Sequence, residues 1–368
     1  MNNKKTGSEG FLSVLVSVSL VVVTLVFSGE LVTALSSFAL GSFSVMASVS
    51  EFKLKNEKHN LGKNDDYNVK GFGNGLETIT NGTGTKTPED IEKIMNEAVS
   101  AYASFKKTGD IDETKLGASS SNTVYGNVVV NNKTETKSVN IKKELSKKPS
   151  FGEITKDEPY ILIYHTHTTE GYELLDKGWY SADYDSRTKD INKTVVRVGD
   201  EIVERLEKSG FKVIHDKTIY DELYNGAYER SREGITKILK ENPSIKVVID
   251  VHRDAIYLKD GTRIKPTTEI NGKKAAQIMI LTGCEDGNVK NFPDWEKNLT
   301  FAVQLQNKIS SNNPKLLRPL MFCNRKYNMH LTPCSLLVEF GTDGVVLGVS
   351  SLRRRLCVLR LANTSNFL

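Results

Sequence analysis

An apolar run that stops at two histidines constrains this 368-residue chain more than any other feature. Ile161-Leu162-Ile163-Tyr164 is followed directly by His165-Thr166-His167-Thr168-Thr169-Glu170. Four apolar or aromatic residues in a row suit a buried strand, whereas the imidazoles, hydroxyls and carboxylate behind them need partners or solvent. The same pattern returns at Val247-Val248-Ile249-Asp250-Val251-His252-Arg253-Asp254 and at Ser335-Leu336-Leu337-Val338-Glu339-Phe340-Gly341. Three predicted strands thus bring ionisable residues to one end.

The chain has six histidines, and three of them stand at the ends of two such strands, a placement that packing explains poorly. In open α/β sheets, ligands sit in the crevice beyond the carboxyl ends of the strands. Imidazoles with a carboxylate form the usual shell of a catalytic zinc ion, with one position left for water. The pattern therefore predicts a mononuclear zinc hydrolase. His165 and His252 are candidate metal ligands because each follows an apolar run. Glu170, which can fold back along its loop, is the first choice for the third ligand. His167, sharing the strand exit, and Asp190, just before a predicted helix, are the alternatives. Glu339 is the candidate general base, since burial and a nearby cation act on its pKa in opposite directions. Arg253, Asp254, Asn328 and His330 are candidates for orienting ligands or stabilising an oxyanion.

From residue 156 onward, strand and helix signals alternate, which defines an α/β fold: a twisted sheet with flanking helices. Strands are expected at 160–164, 211–215, 245–251, 276–282 and 335–340, and helices at 194–209, 224–241 and 299–310. Within 194–209, Val195, Val198, Ile202 and Leu206 recur at helical spacing, and Gly210 ends the run. Asp260-Gly261 marks a hairpin turn within 257–263, placed beside the site.

Residues 11–27 (FLSVLVSVSLVVVTLVF) carry no charge and are about the shortest stretch that spans a bilayer. Lys4 and Lys5 before it and Glu30 after it orient the N-terminus inward and export the rest. Its length favours a retained anchor, while Val32-Thr33-Ala34 and Val45-Met46-Ala47 offer sites at which a signal could be cleaved. Between 51 and 152 the sequence is rich in Lys, Asn, Thr, Gly and Ser, with too few large apolar residues to offset the entropy of ordering. A tether is expected there, interrupted by a short helix that Thr87 caps and Pro88 begins, with Ile91, Ile94, Met95 and Val99 on one face. Residues 124–130 could add a strand to the domain edge or to a partner. Cys284, Cys323, Cys334 and Cys357 lack CxxC spacing; isolated thiols are expected, with a Cys323–Cys334 bridge as the alternative. A net charge of +5 without a basic and aromatic binding motif argues against nucleic acid. It suits an exported protein near an anionic wall or membrane.

Four strings in order resemble the stage II sporulation protein P family: His165-Thr166-His167-Thr168-Thr169-Glu170-Gly171-Tyr172, Val195-Val196-Arg197-Val198-Gly199, Asp250-Val251-His252-Arg253-Asp254 and Leu337-Val338-Glu339-Phe340-Gly341. The resemblance covers about 160–343, together with the N-terminal membrane segment and variable tether. It implies an N-acetylmuramoyl-L-alanine amidase with the zinc amidase α/β fold, also credited with endopeptidase activity on peptide crosslinks. The substrate it implies is peptidoglycan, cut during sporulation engulfment alongside the stage II sporulation proteins D and M. Carried over, it assigns Zn2+ to His165, Glu170 and His252 and catalysis to Glu339. The domains expected are an anchor or signal region (1–50), an extracytoplasmic tether (51–152), the amidase (153–344) and a divergent tail (345–368), with the protein single-pass in the cell membrane. After Gly344 the family pattern continues with Asn-Thr and an amphipathic helix, but this chain reads Val345-Val346-Leu347-Gly348 and then a run containing Arg353-Arg354-Arg355. Such a tail should cover the sheet edge badly, and a wall-binding scaffold that has lost activity is the alternative function.

Overall fold

The computed structural model describes residues 89–152, 157–270 and 273–347. The apolar segment 11–27, the caps Thr87 and Pro88, the tail from 348 and Cys357 lie outside them. Among the described residues no helix is long and apolar enough to cross a membrane.

In chain order the elements are α1 (Glu89–Tyr102), β1 (Gly109–Thr114), β2 (Thr123–Tyr125), β3 (Val128–Lys133), α2 (Ile141–Ser146), β4 (Pro159–Tyr164), β5 (Trp179–Tyr180), α3 (Val195–Lys208), β6 (Lys212–His215), α4 (Ala227–Glu241), β7 (Val247–Asp254), β8 (Arg263–Ile270), β9 (Lys273–Ala276), β10 (Ile278–Gly283), α5 (Trp295–Asn312), β11 (Leu320–Cys323) and β12 (Ser335–Thr342). An eight-stranded sheet runs β2-β3-β11-β10-β12-β7-β4-β6, and a smaller one runs β5-β1-β8-β9. The α/β class expected from the sequence is therefore found. Strands β12, β7, β4 and β6 are successive parallel neighbours, whereas β10 runs antiparallel to β12.

Helix α3 shows how local sequence places a layer. The Thr194 hydroxyl accepts a hydrogen bond from the Val196 amide at 3.3 Å, capping its start. Gly210, at φ 87°, ends it, and the Phe211 amide returns to the Leu206 carbonyl at 3.1 Å. Val195, Val198, Ile202 and Leu206 pack with Ile161, Ile163, Val247, Ile249 and Val251 in the main core, each such burial contributing on the order of 1.5–3 kcal/mol. On the opposite face Ile235 of α4 packs with Leu162, Tyr164 and Val248. The sheet is thus covered on both sides, leaving strand ends as the place for polar residues.

The expected tether needs correction over its described part. β3 pairs in parallel with β11, and Val128 and Val130 are fully buried; β1 pairs in parallel with β8. Helix α1 buries Ile91, Ala98 and Tyr102, with Ile94, Met95 and Val99 against the core. Few apolar residues suffice here because the ladder itself satisfies the backbone. At the other end, Val345, Val346 and Leu347 are buried, and the Leu347 amide donates to the Glu173 carbonyl, so the first residues assigned to the tail belong to the core. Cys284, Cys323 and Cys334 are buried free thiols. Cys323 and Cys334 are therefore not bridged to each other.

The docking of α1 carries a pH dependence. The Tyr102 hydroxyl donates to Glu173 Oε2 at 2.9 Å, and Arg263 Nη1 donates to Oε1 at 3.2 Å. Burial raises the Glu173 carboxyl to about 7 despite these donors. A folded-state pKa above the unfolded one means that the fold holds a proton the open chain has released, so stability falls as pH rises from about 4.3 toward 7. Glu173→Gln should match wild type near pH 4 and exceed it at pH 8 by on the order of 3 kcal/mol. Denaturant melts at the two pH values check this, and equal midpoints at pH 8 would contradict it.

Candidate active site

The parallel neighbours β4, β7 and β12 end at one edge of the large sheet. Glu339 lies opposite His252 in the ladder, Leu337 opposite Asp250, and Tyr164 opposite Asp250 from the other side. β7 continues to Asp254, so His252 sits within the strand rather than beyond it. Behind Tyr164 the chain turns sharply: the Glu170 amide donates to the His167 carbonyl at 3.1 Å, which folds residues 165–170 over the strand ends.

His165 and His167 part company at this turn. His165 is fully buried, with Nδ1 3.0 Å from the Val251 carbonyl and Nε2 2.9 Å from Nε2 of His215. A carbonyl only accepts, so Nδ1 carries hydrogen and Nε2 accepts from His215; the second nitrogen of His215 lies 3.1 Å from Asp200 Oδ1. Burial, aided by the charge of His215, pushes His165 down to about 3. Gly199 of α3 makes room for the pair, since a Cβ there would stand 2.6 Å from His215 and 2.8 Å from His165. Val251 and His215 take both ring nitrogens of His165, so a ligand role for it requires the His215 contact to open.

His167 takes the place beside His252, its ring edge-on at 5.4 Å between centroids. Its other neighbours are Tyr224, stacked at 4.6 Å, and Tyr228, edge-on at 5.5 Å. Nδ1 of His252 is 3.3 Å from Glu170 Oε2, and Nε2 is 2.9 Å from Asp250 Oδ1. Burial disfavours charge on both members of the His252–Glu170 pair, but on the histidine Asp250 and then Glu170 outweigh it and raise the pKa, and on the glutamate His252 and then Arg253 lower it. Arg187 Nη2 donates to Glu170 Oε1 at 3.2 Å, and Nη1 to Asp221 Oδ2 at 3.0 Å. Asp250 is fixed by the amide and hydroxyl of Thr166 at 2.9 and 2.7 Å.

Glu339 is half-buried, but its Oε2 is sealed and makes no hydrogen bond. Burial pushes its carboxyl up to about 8; Asp254 and Glu170 act in the same direction, His252 and Arg318 against it. Of the remaining candidates, the Arg253 amide donates to Glu170 Oε2 at 3.2 Å, and Asp254 accepts from Arg318 at 2.7 Å. Asn328 Nδ2 donates to the Tyr228 carbonyl at 3.0 Å. His330 packs edge-on to Phe292. Asp190 caps a single 3-10 turn and pairs with Lys193 at 2.9 Å, so it does not join the cluster. Arg187, Asp221 and Tyr228 escaped the sequence reading; the Asp221–Tyr224–Tyr228 spacing before and within α4 was the only trace of them.

Among the described residues no three His, Cys, Asp or Glu side chains close on one point as a metal shell would. The donors nevertheless fit zinc in kind: Nδ1 of His252 lies beside Glu170 Oε2 while Nε2 turns to Asp250, and Nδ1 of His167 is buried without a hydrogen bond.

These features define a mixed α/β domain with a buried imidazole–carboxylate cluster at the sheet edge. The family described as Stage II sporulation protein P (SpoIIP) matches residues 56–345, and the chain belongs to that family. It is 32% identical over 234 residues to Stage II sporulation protein P of Bacillus subtilis (strain 168), a match covering 60% of this chain and 53% of that protein. The chain thus spans about half the length of this curated relative. No solved structure matches it.

Proposed function

We propose that this chain is a zinc-dependent peptidoglycan hydrolase acting in sporulation engulfment, cutting the amide between N-acetylmuramic acid and L-alanine. Family membership supports the peptidoglycan-degrading role. The observation that carries the chemistry is the cluster of His167, Glu170 and His252 with Glu339 opposite His252 in the ladder, its Oε2 without a hydrogen bond.

His167, Glu170 and His252 would hold the metal, with His167 in place of the expected His165. Bound zinc supplies Lewis acidity, polarising the amide carbonyl and bringing the pKa of a water toward neutrality. Glu339 accepts the proton of the attacking water and passes it to the leaving alanine nitrogen. Asp250 orients His252, and Arg187 holds Glu170, so neither side chain swings freely. The segment 11–27 would anchor the protein in the membrane with this domain outside, where the stage II sporulation proteins D and M are its proposed partners.

Chelation tests the metal requirement. Purified protein should clear a peptidoglycan suspension, lose that ability after chelator treatment, and regain it with one equivalent of zinc. Binding to the wall without clearing under any metal condition would favour the scaffold reading.

A further inference from the structure

Tyr228 lies in the first turn of α4 with its ring nearly parallel to His252, 6.5 Å away and 10° between planes, edge-on to His167 at 5.5 Å, and 5.1 Å from Tyr327. The side chain is half-buried, neither sealed nor on the open surface. Its ring thus lies against the two histidines of the cluster, and its hydroxyl makes no hydrogen bond among the described residues. A phenol beside the histidine pair whose hydroxyl bonds no protein group has donor capacity to spare. Its backbone is pinned from the far side: Asn328 Nδ2 donates to the Tyr228 carbonyl at 3.0 Å and to Ser231 Oγ at 2.9 Å. Tyr327 and Asn328 both take left-handed φ values, 42° and 58°, the kind of strained turn that persists where surroundings impose it.

We propose that Tyr228 is a catalytic residue whose hydroxyl donates a hydrogen bond to the oxygen of the scissile amide as negative charge develops there. The inference rests on the hydrolase reading of this site and holds whichever peptidoglycan amide is cut. Water oxygen bonds to the carbonyl carbon, and the carbonyl π pair moves onto its oxygen, where Tyr228 meets it. On collapse that pair re-forms the carbonyl, the carbon–nitrogen bond breaks, and the proton taken up by Glu339 goes to the leaving amine. Tyr228 gives up no proton.

Tyr228→Phe removes the hydroxyl and keeps the ring. It should lower kcat about 100-fold while KM stays within about twofold, with the melting midpoint and zinc affinity of wild type. A tetrahedral phosphinate analogue of the scissile amide should bind the variant at least about 10-fold more weakly, and an uncleavable ground-state ligand equally well. A ring that merely braces His252 and Tyr327 would leave all of these unchanged in Tyr228→Phe, and that result overturns the proposal. Wild-type protein that cleaves no peptidoglycan bond would overturn the hydrolase reading along with it; cleavage by wild type and variant at equal kcat overturns the role of Tyr228 alone.

Discussion

Replacing Glu339 with Gln should lower the rate of peptidoglycan cleavage about 10²–10⁴-fold, the range for loss of a positioned general base, without lowering the melting midpoint at pH 7. The carboxyl stands opposite His252 in the ladder, with a sealed, unpartnered Oε2. In the metal-free fold its pKa is raised to about 8, so at pH 7 the protonated, uncharged form prevails, and a neutral amide of the same shape replaces it at little cost. A divalent cation held by the neighbouring donors would bring the carboxyl down and leave it ionised, the form a base requires. Stability and rate therefore separate. Parallel rate measurements and thermal melts on zinc-loaded and zinc-free protein check both halves, and a Gln variant that keeps its rate would remove Glu339 from the chemistry.

His167→Ala and His165→Ala should fail in opposite ways. Removing His167 deletes a buried nitrogen without a hydrogen-bond partner, so zinc affinity should fall by more than about 100-fold, with the lost packing on Tyr224 and Tyr228 costing the metal-free fold on the order of 1–3 kcal/mol. Removing His165 leaves the Val251 carbonyl and the His215 ring without their 3.0 and 2.9 Å contacts and opens a cavity between β4, β7 and α3. That should cost on the order of 2–4 kcal/mol while zinc still binds. Titration calorimetry with zinc and denaturant melts separate the two. The reverse pattern would restore His165 to the metal.

The difference between these two histidines shows where the sequence stops being legible. Apolar runs ending in His165, His252 and Glu339 were enough to place three strand ends together, because burial fixes strands and a polar residue behind them marks an edge. The backbone turns directly after Tyr164, however, and alternation no longer says which imidazole faces the crevice. The choice is made by Val251 and His215, 86 and 50 residues away. Glu170 could be placed beside His252, but the contact itself needs the loop turn between His167 and Glu170. Composition likewise hid the incorporation of residues 89–152, since two buried valines in β3 and a ladder to β11 count for little in an average over a hundred residues. Tyr228 was invisible for another reason: an aromatic at a helix start reads as core, and only its unbonded hydroxyl beside the histidine pair sets it apart.

The most direct test of the central claim is to identify the bond that is cut. Zinc-loaded protein is incubated with purified peptidoglycan, and the new chain ends are determined by mass spectrometry, with Glu339→Gln run in parallel. A hydrolase of the muramoyl–alanine amide predicts free L-alanine amino ends and intact glycan strands bearing bare lactyl groups, absent from the Gln reaction and from zinc-free samples. Ends arising only at peptide crosslinks would contradict that assignment and make the chain an endopeptidase.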